Sequence, residues 1–326
     1  MSAPFQVLIT DRFSLDALAF LRTKNELEIK TSRSPDPLAE EMASANALII
    51  RSRTKITEDL LSQAPHLELI ITATSGFDHI DLDATRSKEI PVLYTPDANA
   101  ASAAELTWAL VLACARKIPA AHQAIKAGNW NRNLLMGTEL SQKTYGIIGL
   151  GRIGKRVARI AKAFNMKVIA FDPYINPIDF EKEGVECVGF EEVLKLSDVL
   201  SLHVPSTNET YKMINSSCLE FINRGIIFVN TSRGSVVDEE ALAHALESGW
   251  ISQCGLDVFE KEPLPRNSHL LQQPQVVFSP HLGATTNEAF AAASQEAANK
   301  VLEYVQTRHG MNHPHCVNSV QSMSFF

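Results

Sequence analysis

Between residues 145 and 172 the chain carries a pattern that few folds accommodate: Tyr145-Gly-Ile-Ile-Gly149-Leu-Gly151-Arg-Ile-Gly154, then a helical stretch, then an apolar run ending in Phe171-Asp172. Thr144 to Ile148 reads as a buried strand, and Val157, Ile160, Ala161 and Phe164 recur at the i, i+3, i+4, i+7 spacing of one helix face. The glycines have separate tasks. Gly149 permits a tight turn, Gly151 lets backbone approach a pyrophosphate, and Gly154 allows helix to press on strand, while the helix N-terminus offers N–H groups to phosphate. A glycine-rich turn that binds nothing is the bland alternative. Asp172, eighteen residues past Gly154 at the end of the next strand, argues against it, because a carboxylate there accepts from the ribose hydroxyls of a dinucleotide. Asp172 also repels a 2′-phosphate, and Pro173-Tyr174 brings no arginine to receive one, so the expected cofactor is NAD rather than NADP.

The rest of the chain alternates in the same way. Val7 to Thr10, Leu48 to Ile50, Leu67 to Ile71 and Pro91 to Tyr94 read as strands, with helices over 13–24, 57–63 and 81–88 between them. A helix opened by a capping box at Ser102-Ala-Ala-Glu105 runs to about Lys117. After a polar stretch at 128–133 a second series begins, with later strands at Val168 to Phe171, Val199 to Val204, Ile226 to Asn230, Gly255 to Val258 and Val276 to Ser279. A final Ala-rich helix over 287–307 follows another possible capping box, Thr285-Thr-Asn-Glu288, and the tail from His309 to Phe326 has no periodicity. The expected fold is α/β, with two doubly wound parallel-sheet lobes.

Composition narrows the partners. Basic residues number 30 against 37 acidic ones and are scattered, so nucleic acid is not expected as a partner, and an anionic substrate must be drawn in by local arginines and backbone N–H groups. The most apolar run, Trp108 to Ala115, is far short of the roughly 20 residues that span a bilayer, so no membrane association is expected and the run reads as a buried helix. Cys114, Cys187, Cys218, Cys254 and Cys316 form no CxxC pair; they read as buried thiols in a reducing compartment, and with no export signal at the N-terminus the expected location is the cytoplasm. His79, His313 and His315 lack a matching acid or third ligand, so no metal is expected.

Ligands of doubly wound sheets sit beyond the carboxyl ends of the strands, which singles out His203, Arg233, Asp257 and His281 as polar residues leaving apolar strands. Oxidising an alcohol with NAD needs a base of near-neutral pKa, and His281 suits the task, with Glu262 orienting its ring and favouring the imidazolium. Arg233 can hold a substrate carboxylate bidentately and polarise the adjacent carbonyl. Taken singly, each has a bland alternative: His281 as a core or loop histidine, Arg233 as a surface ion-pair partner, Glu262 as the residue before a loop proline, His203 as a satisfied turn histidine.

With these residues quoted, nearly the whole chain resembles the D-2-hydroxyacid dehydrogenase family. Similar to the family's patterns are Ile50-Arg-Ser-Arg-Thr54, Ser102-Ala-Ala-Glu-Leu106, the 149–154 fingerprint, Asn230-Thr-Ser-Arg-Gly-Ser-Val-Val-Asp238, Gly255-Leu-Asp-Val-Phe259 and Pro280-His-Leu-Gly-Ala284. The segment Asn129-Trp-Asn-Arg132, followed by Met136-Gly-Thr-Glu-Leu140, is similar to the family's phosphoglycerate branch. The resemblance implies Arg233, Glu262 and His281 as catalytic residues, and cofactor contacts at Arg152, Ile153, Asp172, Val204, Thr231, Ser232 and Asp257, joined by Ser75, His203, Pro205, Gly283 and the fingerprint glycines. It further implies that the substrate carboxylate meets the backbone of Ser75 and Gly76 and that a phosphate meets Arg51, Arg53 or Arg132, the last from a second subunit. A Rossmann NAD-binding domain over 99–285 would be inserted in a flavodoxin-like substrate domain, 1–98 plus 286–326, and a homodimer would form through residues 100–140.

The expected activity is NAD-linked oxidation of D-3-phosphoglycerate to 3-phosphohydroxypyruvate, the first step of serine synthesis. There are departures: residues 72–81 lack the arginine usual near Thr72 and the asparagine usual at His79, and Ala98 replaces a usual glycine. That stretch is similar to the erythronate-4-phosphate branch and would equally suit glyoxylate or hydroxypyruvate. An NAD-sensing, corepressor-like binding module is the alternative from another class. With only a short tail after the final helix, no regulatory ligand-binding domain is expected and neither is feedback by serine through one.

Overall fold

The computed structural model describes residues 4–32, 34–219 and 221–319; the end of the aperiodic tail, 320–326, lies outside them. The chain divides into two units, Met1–Asn99 with Ala284–Phe326, and Ala100–Gly283.

In the first unit the strands are β1 (Phe5–Ile9), β2 (Leu27–Thr31), β3 (Ala47–Ile50), β4 (Leu69–Thr72) and β5 (Val92–Tyr94), all parallel in the order β2-β1-β3-β4-β5. Side chains alternate between two faces, and both faces are covered. Val7, Ile9, Ile49 and Ile71 pack with Ala293, Ala297 and Val301 of the Asn287–Thr307 helix, while Leu8, Leu48, Ile50 and Ile70 pack on the other side with Met42, Leu61 and Ile90. Each such side chain contributes about 1.5–3 kcal/mol of transfer free energy when fully buried.

Strand β2 carries no apolar run, and the strand pattern read from the sequence omits it. Leu-Glu-Ile-Lys-Thr lies at the sheet edge, where Glu28 and Lys30 stay partly in water and form an ion pair of 3.6 Å. The final helix, Asn287–Thr307, belongs to this unit. Its N-cap is Thr286, whose hydroxyl accepts from the Ala289 N–H at 3.1 Å, so the expected capping box of Thr285 and Glu288 does not form and the next threonine caps the helix alone.

In the second unit β6 (Thr144–Ile148), β7 (Lys167–Phe171), β8 (Glu186–Cys187), β9 (Val199–Leu202), β10 (Ile226–Asn230), β11 (Ile251–Leu256) and β12 (Val276–Phe278) form one parallel sheet in the order β12-β11-β10-β9-β6-β7-β8. This is the doubly wound order of a dinucleotide-binding fold, with its reversal between β6 and β9. The expected two-sheet parallel α/β class is therefore correct. Two local readings need correction. The helix Ala100–Ala115 starts two residues before Ser102, because the preceding alanines are strong helix formers, so Ser102 lies buried inside it and is no cap. Cys114, Cys254 and Cys316 are buried, but Cys218 is only partly so and Cys187 is exposed on the short edge strand β8.

The described tail is tied to the first unit by backbone bonds, Val317 N–H to the Val92 carbonyl at 2.9 Å and Tyr94 N–H to the His315 carbonyl at 3.3 Å, and by the side chain of Asn318. Asn318, 1% exposed, accepts from the Val92 N–H at 3.0 Å and donates to the Ile90 carbonyl at 2.8 Å and to Thr85 Oγ1 at 3.1 Å. Asn318→Leu keeps the volume but strands those backbone groups, so it should lower stability by about 2–4 kcal/mol, read as a reduced urea midpoint. An unchanged midpoint would mean the tail does not hold β5 in place.

Candidate active site

The glycine turn is built by contact. Gly149 has φ +91°, and a Cβ on it would lie 2.6 Å from the His203 carbonyl oxygen and 2.9 Å from Val204 Cγ1. Thus the β6 turn presses on the strand-end residues His203 and Val204, with exposed Pro205 following. Gly154 brings the Arg152–Ala163 helix against the Gly149 carbonyl, where a Cβ would approach to 2.2 Å. A Cβ on Gly151, by contrast, would meet nothing within 4 Å. Gly151 caps that helix without a side-chain bond and has open space beside it, so the start of the first turn at Arg152 and Ile153 offers N–H groups of the kind a pyrophosphate takes. Asp172 is fixed at the end of β7 by two backbone donors, Leu150 N–H at 2.9 Å to Oδ2 and Tyr174 N–H at 3.0 Å to Oδ1. Carboxylate, open cradle and helix N-terminus therefore fit a dinucleotide such as NAD.

His281 and Glu262 form the expected pair, with Nδ1 of the ring 2.8 Å from Oε2 of the carboxylate. The other oxygen of Glu262 accepts from the Phe259 N–H at 3.2 Å, so the acid is anchored at both ends. With Nδ1–H donating to Glu262, the lone pair of a neutral His281 lies on Nε2. The hydrogen bond to Glu262 raises the His281 pKa above its ordinary value, against an opposing effect of burial and of the Arg233 charge. Burial works to raise Glu262, but its bond and charge interaction with His281 hold it below the usual carboxylate value.

His281 adopts φ +54°, a left-handed conformation uncommon for a residue with a side chain. Asp257 holds it there. Fully buried at the exit of β11, Asp257 accepts from Ser279 Oγ at 2.6 Å, Leu282 N–H at 2.8 Å and Gly283 N–H at 2.9 Å, and its carbonyl accepts from the His281 N–H at 2.8 Å. Asp257 thus organises the turn that carries the histidine, a task the sequence did not disclose.

Arg233 stands at the exit of β10, close enough for its charge to act on both members of the pair. Its loop is folded by Asn230, 1% exposed, whose amide donates to the Arg233 carbonyl at 2.8 Å while its oxygen accepts from the Ser232 N–H and hydroxyl. Buried Thr231 shares a 2.7 Å hydrogen bond with Thr107. The loop then packs backbone to backbone on Phe259, where a Cβ on Gly234 would come within 1.8 Å of the carbonyl carbon. Glu239 and Glu260 cap each other's N–H groups at 2.7 and 3.0 Å, with Lys212 within 3.3 Å of Glu260. Asn230, Lys212, Glu239 and Glu260 were overlooked as site-supporting residues, because their role depends on loops distant in sequence.

His203 does not join the dyad. Its Nε2 pairs with Ser201 Oγ at 2.8 Å, and burial pushes its pKa down to about 3, leaving it neutral. Exposed Arg132 opens the short turn Arg132–Leu135 in this unit. The remaining expected contacts lie in the first unit: Arg51 and exposed Arg53 after β3, Ser75 and Gly76 after β4. Ser75 Oγ accepts from Asn99 Nδ2 at 2.9 Å. Thr72 and His79, the two departing positions of this stretch, are partners of each other, Oγ1 to Nε2 at 3.2 Å.

Residues 108–283 match the family model described as D-isomer specific 2-hydroxyacid dehydrogenase, NAD binding domain. The chain is 41% identical over 302 residues to D-3-phosphoglycerate dehydrogenase of Methanocaldococcus jannaschii, covering 92% of this chain and 57% of that protein. It therefore spans little more than half the length of that relative. Its structure is similar to that of D-lactate dehydrogenase from Aquifex aeolicus complexed with NAD and lactic acid, with TM-score 0.83 and 33% identity over 92% of this chain and 95% of that one. A glyoxylate reductase from Paecilomyes thermophila matches with TM-score 0.85 and 29% identity over 94% of this chain and 97% of that one.

An imidazole must be neutral to take a proton and charged to give one. If His281 is the base, oxidation of a hydroxy acid should rise as pH passes upward through its pKa, and reduction of a keto acid should fall. Glu262→Gln removes the charge that raises this pKa, so both limbs should move to lower pH, in steady-state rates measured from pH 5 to 10. Profiles that keep their midpoints while the rates fall would show that Glu262 only packs the loop.

Proposed function

The chain belongs to the D-isomer specific 2-hydroxyacid dehydrogenase family, and we propose that it interconverts D-3-phosphoglycerate and 3-phosphohydroxypyruvate with NAD. The observation that carries the reading is the 2.8 Å His281–Glu262 pair set beside Arg233 in the unit that bears the dinucleotide turn. The similarity to D-3-phosphoglycerate dehydrogenase over 92% of the chain supports the substrate.

NAD, when bound, supplies the hydride acceptor. Nε2 of neutral His281 takes the C2 hydroxyl proton, and the imidazolium that results is stabilised by Glu262. Arg233 holds the carboxylate through its guanidinium fork and polarises the C2 oxygen as it becomes a carbonyl. Ser75 and Gly76, with Arg51, Arg53 and Arg132, are the proposed contacts for the remainder of the substrate. Reduction of glyoxylate or hydroxypyruvate is the second reading, favoured by the Thr72–His79 pair in a stretch without an arginine.

A homodimer is proposed from the surface of the second unit. The helix Ile118–Lys126 has no buried residue, and Ile118, Ile125, Trp130, Leu134 and Met136 are 53–78% exposed. Such a cluster of large apolar side chains is what an obligate interface covers. No described helix is long and apolar enough to cross a membrane, and the free cysteines support a cytoplasmic location.

NADH oxidation should be faster, as kcat/KM, with 3-phosphohydroxypyruvate than with hydroxypyruvate or glyoxylate; a preference for the unphosphorylated acids would move the chain to the reductase reading. His281→Ala should cut turnover by roughly 10²–10⁴-fold and leave NADH fluorescence titration unchanged, whereas lost NADH binding in a folded variant would sink the assignment of His281 as base. In sedimentation velocity the protein should run as a dimer and Leu134→Glu as a monomer; a monomeric wild type would rule the interface out.

A further inference from the structure

The dinucleotide crevice of the second unit opens at the β6 turn, where the strand order reverses, with β7 on one side of β6 and β9 on the other. Neighbouring strands are about 4.8 Å apart, so the exits of β7 and β9 stand about 10 Å from each other with the Gly149–Gly151 turn between them. One side-chain bond closes that gap. Tyr174, just past Asp172 at the exit of β7, donates its hydroxyl to Oε2 of Glu209 in the loop after β9, and both side chains are exposed at the rim.

Both ends of this bridge are fixed from behind. Asp172 Oδ1 holds the Tyr174 N–H at 3.0 Å, while Oδ2 holds Leu150 N–H of the glycine turn at 2.9 Å. The loop carrying Glu209 is folded on itself. Thr207 N–H donates to Thr210 Oγ1 at 2.8 Å, Thr210 N–H donates to Thr207 Oγ1 at 3.2 Å, and the Tyr211 N–H donates to the Thr207 carbonyl at 2.9 Å. Its ends are tied to the loop of Arg233, Lys212 N–H donating to the Ser235 carbonyl at 2.8 Å and Ser206 sharing a 2.8 Å hydroxyl bond with Ser235. The backbone under Glu209 is therefore set, and the tyrosine hydroxyl sets the end of its side chain.

The bridge brings two carboxylates to one rim. Asp172 bonds the backbone of Tyr174 and Glu209 bonds its hydroxyl, so a single tyrosine separates them. The hydrogen bond to Glu209 raises the Tyr174 pKa, and the charges of Glu209 and Asp172 both add to the effect. Over such a separation, comparable with a Debye length of about 10 Å at 0.1 M salt, the fields of two anions overlap. They overlap where the adenosine ribose of a dinucleotide meets Asp172.

We propose that Glu209 is a second determinant of cofactor choice: held by Tyr174 across the β6 turn, its carboxylate joins that of Asp172 in repelling a 2′-phosphate, so that NADP is rejected by two charges on different strand exits. Tyr174 is the positioning residue. The inference rests on the NAD reading of this crevice and extends it to a loop outside the glycine fingerprint.

Equilibrium titration of the purified full chain with NADH and with NADPH, followed by cofactor fluorescence, provides the test and reads binding without turnover. Glu209→Gln removes the charge but keeps an oxygen to accept from Tyr174. It should tighten NADPH binding by roughly 3- to 10-fold, the scale of one exposed charge facing a dianion, and leave NADH binding unchanged. The gain should fade at about 1 M salt, where the Debye length shrinks to about 3 Å. Tyr174→Phe, which releases Glu209, should give a smaller gain in the same direction. An NADPH affinity that Glu209→Gln leaves unchanged at low salt, a change equal for both cofactors, or a gain that survives high salt overturns the Glu209 assignment and leaves the choice to Asp172. A wild type that binds NADPH as tightly as NADH overturns the NAD reading and this inference with it.

Discussion

Asp257, buried to 0% exposure at the end of β11, accepts through its two carboxylate oxygens from Ser279 Oγ and from the N–H groups of Leu282 and Gly283. A carboxyl group withdrawn from water is costly unless its oxygens are taken by donors, and here the donors all come from the turn after β12. That turn is consequently closed around Asp257, and His281 within it is held at φ +54°, a conformation that costs about 1–3 kcal/mol when left unsupported. The reach of Nδ1 to Glu262, and with it the raised His281 pKa, depends on this arrangement.

The same economy recurs around Arg233. Asn230 bonds Ser232 and Arg233 of its own loop, and the reciprocal Glu239–Glu260 bonds stitch that loop to the segment leading to Glu262. Glu262, His281 and Arg233 therefore stand on three separate strand exits whose spacing is set by buried polar contacts and by close backbone approach. Rigid support of this kind allows a modest pair of side chains to keep a defined geometry.

Some features escaped a reading of the sequence for physical reasons. β2 was invisible because an edge strand needs no continuous apolar run, and Cys187 was misplaced because a thiol on a two-residue edge strand has little to bury it. Ser102 and Thr285 looked like caps, since Ser or Thr three residues before Glu marks a helix start. The actual starts were set by flanking alanines in one case and by the next threonine in the other. The task of Asp257 was hidden because a carboxylate at a strand exit reads equally well as a ligand contact or as a support for the neighbouring turn.

What the sequence determined by itself was whatever depends on local spacing: strand–turn–helix–strand with an acid at the next strand end, and two alternating α/β series. Tertiary structure alone decided which of the polar strand exits meet. His203 and His281 are equivalent in local pattern, yet the first is neutral against Ser201 and the second is paired with Glu262. It also decided that Tyr174 and Glu209, 35 residues apart in the chain, share one hydrogen bond. The reason is that periodicity is a property of neighbours along the chain, whereas proton transfer and cofactor recognition depend on distances of a few ångströms between groups that only the packed sheet brings together.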